Sequence, residues 1–120
     1  MAWLDHADPC LGLRVEHGGK RIVFCTDTGY CEGAVTLAGG ADLLFTECAY
    51  PPGFERPEWP HLNPESAARI ACEADARRLV LVHFDALNYP DMAARQRAEE
   101  KGKEIFPATT AACDFMTITL

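Results

Sequence analysis

Leu11, Leu13 and Val15 alternate with Gly12, Arg14 and Glu16, and Gly18-Gly19 separates this run from a second, Lys20 to Thr26. A period of two on both sides of a glycine pair predicts a β-hairpin. Residues 27–33 form a polar, glycine-bearing loop, 34–38 suit a short helix stopped by Gly39-Gly40, and "ADLLFTE" (41–47) reads as a strand. The stretch 50–62, "YPPGFERPEWPHL", carries four prolines and predicts an irregular loop. The clearest helix signal follows in "NPESAARIACEADA". Asn63 suits the N-cap, Pro64 the first helical position and Glu65 the positive end of the dipole, while Ala67, Ile70, Ala71 and Ala74 share one face. It runs into Leu79–Val82, four apolar residues that predict a strand buried on both faces. A further helix is expected over about 91–101, ending at Gly102, and "EIFPATTAACDFMTITL" predicts two short closing strands. The last of these alternates Phe115, Thr117 and Thr119 against Met116, Ile118 and Leu120. Strands and helices alternate without repeat or linker, so the class is α/β in a single domain, 1–120.

The length of 120 residues suffices for one apolar core. A net charge of −7 with scattered Lys and Arg argues against non-specific affinity for nucleic acid. No apolar run approaches the roughly 20 residues of a membrane span, and "MAWLDHADPC" has neither a basic start nor an apolar h-region. A cytoplasmic protein with no membrane partner is expected. Cys10, Cys25, Cys31, Cys48, Cys72 and Cys113 form no C-x-x-C pair and read as reduced core thiols. Cys25 and Cys31 flank the 27–33 loop and are the alternative soft metal ligands.

Composition leaves the chemistry open; position narrows it. His83 ends the buried strand Leu79–Val82, and Asp27 directly follows "RIVFCT". In α/β sheets the crevice beyond the carboxyl ends of strands is the usual ligand position. One carboxylate and one imidazole there match what zinc, manganese or iron requires. Singly, each has a plainer reading: an aspartate after a strand often makes only an Asx turn, and a strand-end histidine is often a hydrogen-bonded structural residue. His6 and His61 would be ordinary loop residues alone, and His17 sits in the hairpin turn as solvated surface.

Four segments occur in one order at short spacing: "HADPCLGLRVE", "VFCTDTGY", "HLNPESAARIACEADARRLVLVHF" and "DFMTITL". Together they resemble the C-terminal half of the metallo-β-lactamase-fold hydrolases, in the branch of ribonuclease Z and small cyclic phosphodiesterases. The resemblance implies half of an αββα sandwich, one mixed sheet with helices packed on it. It implies that His6 binds a first metal, that Asp27 bridges two metals and that His83 binds the second. It implies that His61 stands over the scissile phosphate as proton donor or oxyanion stabiliser, supported by Glu47. Leu13 replaces the family's usual tyrosine, and Thr46 and Cys48 replace its usual histidine and alanine beside Glu47. Two metals about 3.5–4 Å apart clamp a phosphoryl or acyl oxygen and acidify a water, which calls for neutral imidazoles and a bridging carboxylate. His61 is expected to stay off the metal, because its task needs a movable proton.

The H-x-H-x-D-H motif of the family's N-terminal half does not occur in the chain. The expectation is therefore a domain lacking that half, with two protein ligands per metal where catalytic zinc normally has three. Such a chain by itself would lack a complete active site. It would expose apolar sheet surface, so a homo-oligomer or association with an N-terminal half is expected. Transfer-RNA-processing members carry a long basic arm between the positions of His6 and Asp27, where this chain has one tight hairpin. With the acidic charge, this favours a small ester or phosphodiester substrate and no structured RNA. The rival expectation is a non-catalytic half-fold, an oligomerising or binding module with vestigial metal ligands. The third is an unrelated α/β domain. Tyr50, Phe54 and Trp59 are candidate apolar contacts at the entrance to the site, or ordinary packing of the long loop.

Overall fold

The hairpin forms where the alternation places it, in a computed structural model that describes residues 1–120. β1 (Ala2–Leu4) precedes it, and β2 (Cys10–His17) pairs antiparallel with β3 (Lys20–Cys25), Leu13 opposite Phe24 and Val15 opposite Ile22. Gly18 and Gly19 both hold positive φ, 56° and 74°, as a two-residue type I′ connection requires. β1 pairs antiparallel with the free edge of β2. Its three residues are too few to announce themselves by periodicity.

After α1 (Glu32–Ala38), β4 (Leu43–Glu47) joins β3 in parallel. α2 (Pro64–Glu73) leads to β5 (Leu79–Val82), and α3 (Met92–Lys103) to β6 (Thr109–Ala111), each strand parallel to the one before. The result is a six-stranded mixed sheet in sequence order, an α/β architecture as expected. Parallel neighbours need long crossovers, which is why a helix stands between each of these strands. Asn63 and Ser66 cap α2 reciprocally, the Asn63 Oδ1 accepting from the Ser66 amide at 2.8 Å and the Ser66 Oγ from the Asn63 amide at 3.0 Å. Asp91 caps α3 through the Ala94 amide at 2.8 Å.

One face of the sheet is closed by the helices. Val23, Cys25, Leu44, Leu79 and Leu81 meet Ala34, Ala38, Ala67, Ile70, Ala71 and Ala98 in a single core. Small side chains on the helices let them lie close to the strands. The opposite face carries the row Leu13, Phe24, Phe45 and Val80, register partners across four strands, with the Phe24 and Phe45 rings stacked at 5.0 Å. Here the expectation of a final strand fails. Residues after Ala111 form no ladder; they cross over this face, where Met116, Ile118 and Leu120 line an all-apolar cleft of about 380 Å³ with Ile22, Leu43 and Phe45. A turn from Cys113 to Met116 diverts the chain, and the Arg78 guanidinium donates to the Thr119 carbonyl at 2.8 Å. The alternation of 115–120 serves this packing instead of pairing. Leu79–Val82 is thus covered on both sides, by helices and by the chain end. Leu11, Leu13 and Val15 on the hairpin stay 43%, 48% and 49% exposed.

All six cysteines are free, but only Cys25 and Cys48 are buried, and Cys72 and Cys113 lie on the surface instead of in the core. No helix is long and apolar enough to cross a membrane.

Candidate metal centre

Register puts the carboxyl ends of the central strands level. Cys25 pairs with Thr46 and Glu47 with Val82, so Asp27, Glu47 and His83 all fall where β3, β4 and β5 release the chain. His6 reaches the same edge from the loop after β1, and His61 from the residues before α2.

Glu47 is the anchor. It is fully buried, and its carboxylate accepts from the amides of Thr28 at 2.6 Å, Leu62 at 3.2 Å and Ala49 at 3.3 Å. The His61 Nδ1–H completes the set at 2.8 Å. One side chain thereby ties the loop after β3, the end of β4 and the long 50–62 loop together. Burial pushes the Glu47 carboxyl above its ordinary range, while His61 and the amides of Thr28 and Leu62 pull the other way.

His61 is held on several sides. Tyr50 and His6 stand edge-on to its ring at 5.4 Å, and His83 lies at 6.3 Å. Because Nδ1 is committed to Glu47, Nε2 is the ring nitrogen left for other work. His6 directs Nε2 to within 3.1 Å of Asp27 Oδ1. The same histidine's Nδ1 lies 3.1 Å from the Asp8 amide nitrogen and 3.3 Å from the Asp8 carbonyl oxygen. With a ligand on Nε2, the carbonyl takes the Nδ1 proton, the usual support of a metal-bound imidazole.

Asp27 Oδ1 is buried and lacks a hydrogen-bond partner. It also lies 3.5 Å from His61 Nδ1. His83 leaves β5 with φ 51°, a left-handed conformation rare for a residue with a side chain, and its side chain is exposed. Strain of this kind is tolerated where the surrounding structure aims a functional group.

Two donor sets result, His6 with Asp27 and His61, and Asp27 with Glu47 and His83, the ligand atoms of each within 4.8 Å of one another. Asp27 belongs to both. Glu47 and His61 are already spent on each other and on amides, so the uncommitted donors are His6, Asp27 and His83. A buried carboxylate oxygen that faces two imidazoles without a hydrogen bond fits a divalent cation, which would satisfy it. Cys25 and Cys31 join neither set, and His17 is not in the hairpin turn but ends β2 opposite Lys20, exposed and away from the donors.

The long loop is more ordered than its prolines suggest. The Phe54 amide bonds the Pro51 carbonyl and the Trp59 amide the Arg56 carbonyl, closing two β-turns, "PPGF" and "RPEW", each with proline at its second position. Gly53 supplies the positive φ, 74°, of the first. Of the aromatic candidates, Tyr50 is buried and donates its hydroxyl to the Trp59 carbonyl at 2.6 Å, whereas Phe54 and Trp59 are 47% and 48% exposed. Beside the donors lies a pocket of about 310 Å³ lined by Tyr50, Arg56, Trp59, His61, His83 and Asp85, among others. Arg56 and Asp85 escape sequence reasoning; the only available signal was the proline-bracketed turn that carries Arg56.

A mixed sheet with helices on one face and imidazole and carboxylate donors at its carboxyl edge defines the class: an α/β domain with a candidate divalent-metal site at the strand ends. Residues 2–84 match the beta-lactamase superfamily domain, and the chain belongs to the metallo-β-lactamase superfamily. It is 39% identical over 106 residues to a ribonuclease Z of Synechococcus sp. (strain WH7803), covering 83% of this chain and 32% of that protein. To the ribonuclease Z of Trichodesmium erythraeum (strain IMS101) it is 34% identical over 117 residues, covering 95% and 36%. Among solved structures, the metallo-β-lactamase-fold protein YhfI from Bacillus subtilis superposes with a TM-score of 0.80 at 25% identity, over 91% of this chain and 42% of that one. Human tRNase Z, short form, does so with a TM-score of 0.69 at 30% identity, over 98% and 39%. The chain spans about one third of the length of the curated relatives it matches.

These relatives correct one expectation. The acidic charge and the short hairpin lead to the expectation of no structured RNA substrate, yet the relatives are named as ribonucleases, and human tRNase Z shares the fold over nearly the whole chain. The physical error lies in scale. A net charge of −7 summed over 120 residues does not describe the local field at one pocket, nor the surface of a protein about three times as long.

Proposed function

We propose that this chain supplies the C-terminal share of a binuclear, metal-dependent phosphodiesterase, with RNA among the phosphodiesters it acts on. The observation that carries the reading is the convergence of His6, Asp27 and His83 around the Glu47–His61 pair, with Asp27 Oδ1 buried without a hydrogen bond 3.1 Å from His6 Nε2. His6 and Asp27 would hold one metal and Asp27 and His83 the other, with zinc, manganese and iron all suited to these donors. Bound there, the metals would polarise a phosphoryl oxygen and acidify a water. The remaining work falls to the protein. Glu47 fixes the His61 tautomer by accepting its Nδ1 proton, and His61 delivers a proton from Nε2 to the leaving oxygen. The chain lacks H-x-H-x-D-H, and the exposed Leu11, Leu13 and Val15 extend the apolar face that a complementary N-terminal half would cover. Six free thiols suit the reducing cytoplasm.

The test combines the chain with an H-x-H-x-D-H half and follows cleavage of a chromogenic phosphodiester and of a short RNA, with bound metal counted in parallel. His83→Ala should lose metal and activity together. His61→Ala should keep its metal while turnover falls about 10²–10⁴-fold. Equal metal loss in both variants would refute the division of roles. Metal-free, inactive assemblies of the unaltered chain would leave a binding module instead.

A further inference from the structure

Among the residues lining the 310 Å³ pocket that His61 and His83 share, Arg56 is the one permanent cation. It also lines the neighbouring pocket of about 580 Å³ on which His61 borders, so Arg56 and His61 border both hollows together. Its partner in the structure is Glu58, at 2.9 Å across the turn, with the two side chains 57% and 68% exposed. An exposed pair of this kind is weak and readily exchanged for a phosphate, which a guanidinium binds through two parallel hydrogen bonds. Three residues on, Trp59 holds its ring 6.4 Å from the rings of both His6 and His61, with about half its surface open. Its place is set by the main chain, through the amide bond to Arg56 and the carbonyl bond from Tyr50. The indole is therefore not needed to build the loop. A half-open indole and the one guanidinium of the smaller pocket, on one hydrogen-bonded turn beside His61 and His83, have the composition of a single-strand nucleotide subsite: a face to stack a base and a fork to hold a phosphate.

We infer that the Arg56–Trp59 turn binds the nucleotide next to the scissile phosphodiester, Trp59 stacking its base and Arg56 holding the adjoining phosphate. The inference rests on the phosphodiesterase reading for what lies beside the turn, and both residues position substrate without taking part in proton transfer.

The test titrates the full chain, in EDTA so that nothing is cleaved, into a fluorescein-labelled adenylate tetramer and into an abasic ribose-phosphate chain of equal length, reading anisotropy. Trp59→Ala should weaken the adenylate tetramer about tenfold and leave the abasic chain unchanged, and Trp59→Phe should recover most of the loss. Arg56→Ala should weaken both probes and lower the salt slope of binding by about one; Arg56→Lys should restore the slope. Failure of the unaltered chain to bind the tetramer, wild-type binding by both alanine variants, or equal weakening of both probes by Trp59→Ala would overturn the inference. The hydrolysis test above decides the other reading separately. Cleavage that needs metal while Arg56→Ala and Trp59→Ala bind normally leaves the function standing and this subsite refuted. Base-dependent binding without any hydrolysis does the reverse.

Discussion

β4 carries a buried carboxylate at each end, Asp42 just before its first residue and Glu47 as its last, and the two are stabilised in opposite ways. Asp42 accepts from the Arg21 amide at 2.9 Å and lies 3.1 Å from the Arg77 guanidinium, and these hold its carboxyl below the ordinary range. Glu47 has amides and a histidine but no permanent cation, and burial pushes its carboxyl up. At the amino edge the charge is neutralised and the role ends there. At the carboxyl edge the protein keeps a carboxylate in an environment that disfavours its charge, because that carboxylate orders His61 and the loops around the donors. One residue class on one strand is a staple at one end and the foundation of a site at the other.

The largest effect expected from breaking this contrast is at Glu47. Glu47→Ala leaves the Thr28 and Leu62 amides unmatched in the interior and should cost about 3–5 kcal/mol in urea denaturation. A loss under about 1 kcal/mol would mean that water replaces the carboxylate and that Glu47 is no anchor. The exposed His83 should behave differently. His83→Ala should cost little stability, and His83→Gly should be more stable than His83→Ala by about 1 kcal/mol, since glycine adopts φ 51° without strain. Equal stabilities would remove the strain argument.

The smallest effect, and the sharpest in sign, is the pH dependence measured without metal. Asp42 has a lowered folded value, so it adds stability above its ordinary value of 3.8 and loses it as pH falls through the folded one. The advantage of the unaltered chain over Asp42→Asn should accordingly be constant at neutral pH and shrink in acid. Glu47 has a raised folded value, so its ionisation costs stability as pH rises from 4.5 through the folded value. Relative to Glu47→Gln, the unaltered chain should therefore weaken as pH climbs across that window. Slopes of the same sign for the two pairs would refute the contrast.

Much of this molecule was legible in the chain. The hairpin, the capped α2, the Leu79–Val82 strand and the positions of Asp27 and His83 at strand ends all follow from local rules: a period of two, a cap residue before a proline, an apolar run that stops at a polar residue. Local chemistry dictates these because their partners lie within a few residues. Three features were decided elsewhere. Residues 115–120 alternate as a strand would but lie across the sheet, because apolar side chains can be buried by a face as well as by a ladder. Glu47 is named beside His61 only through the family resemblance; no local pattern marks it, and its role as anchor arises when Thr28, Leu62 and His61, each 14 to 19 positions away, bring their donors to it. Arg56 has no meaning in the sequence beyond a turn, and gains one only when folding sets that turn beside His61 and His83. A local pattern can say which residues face a core or end a strand. Which donors meet in space depends on strand order and loop path, and these were set by burying one face of the sheet under the helices.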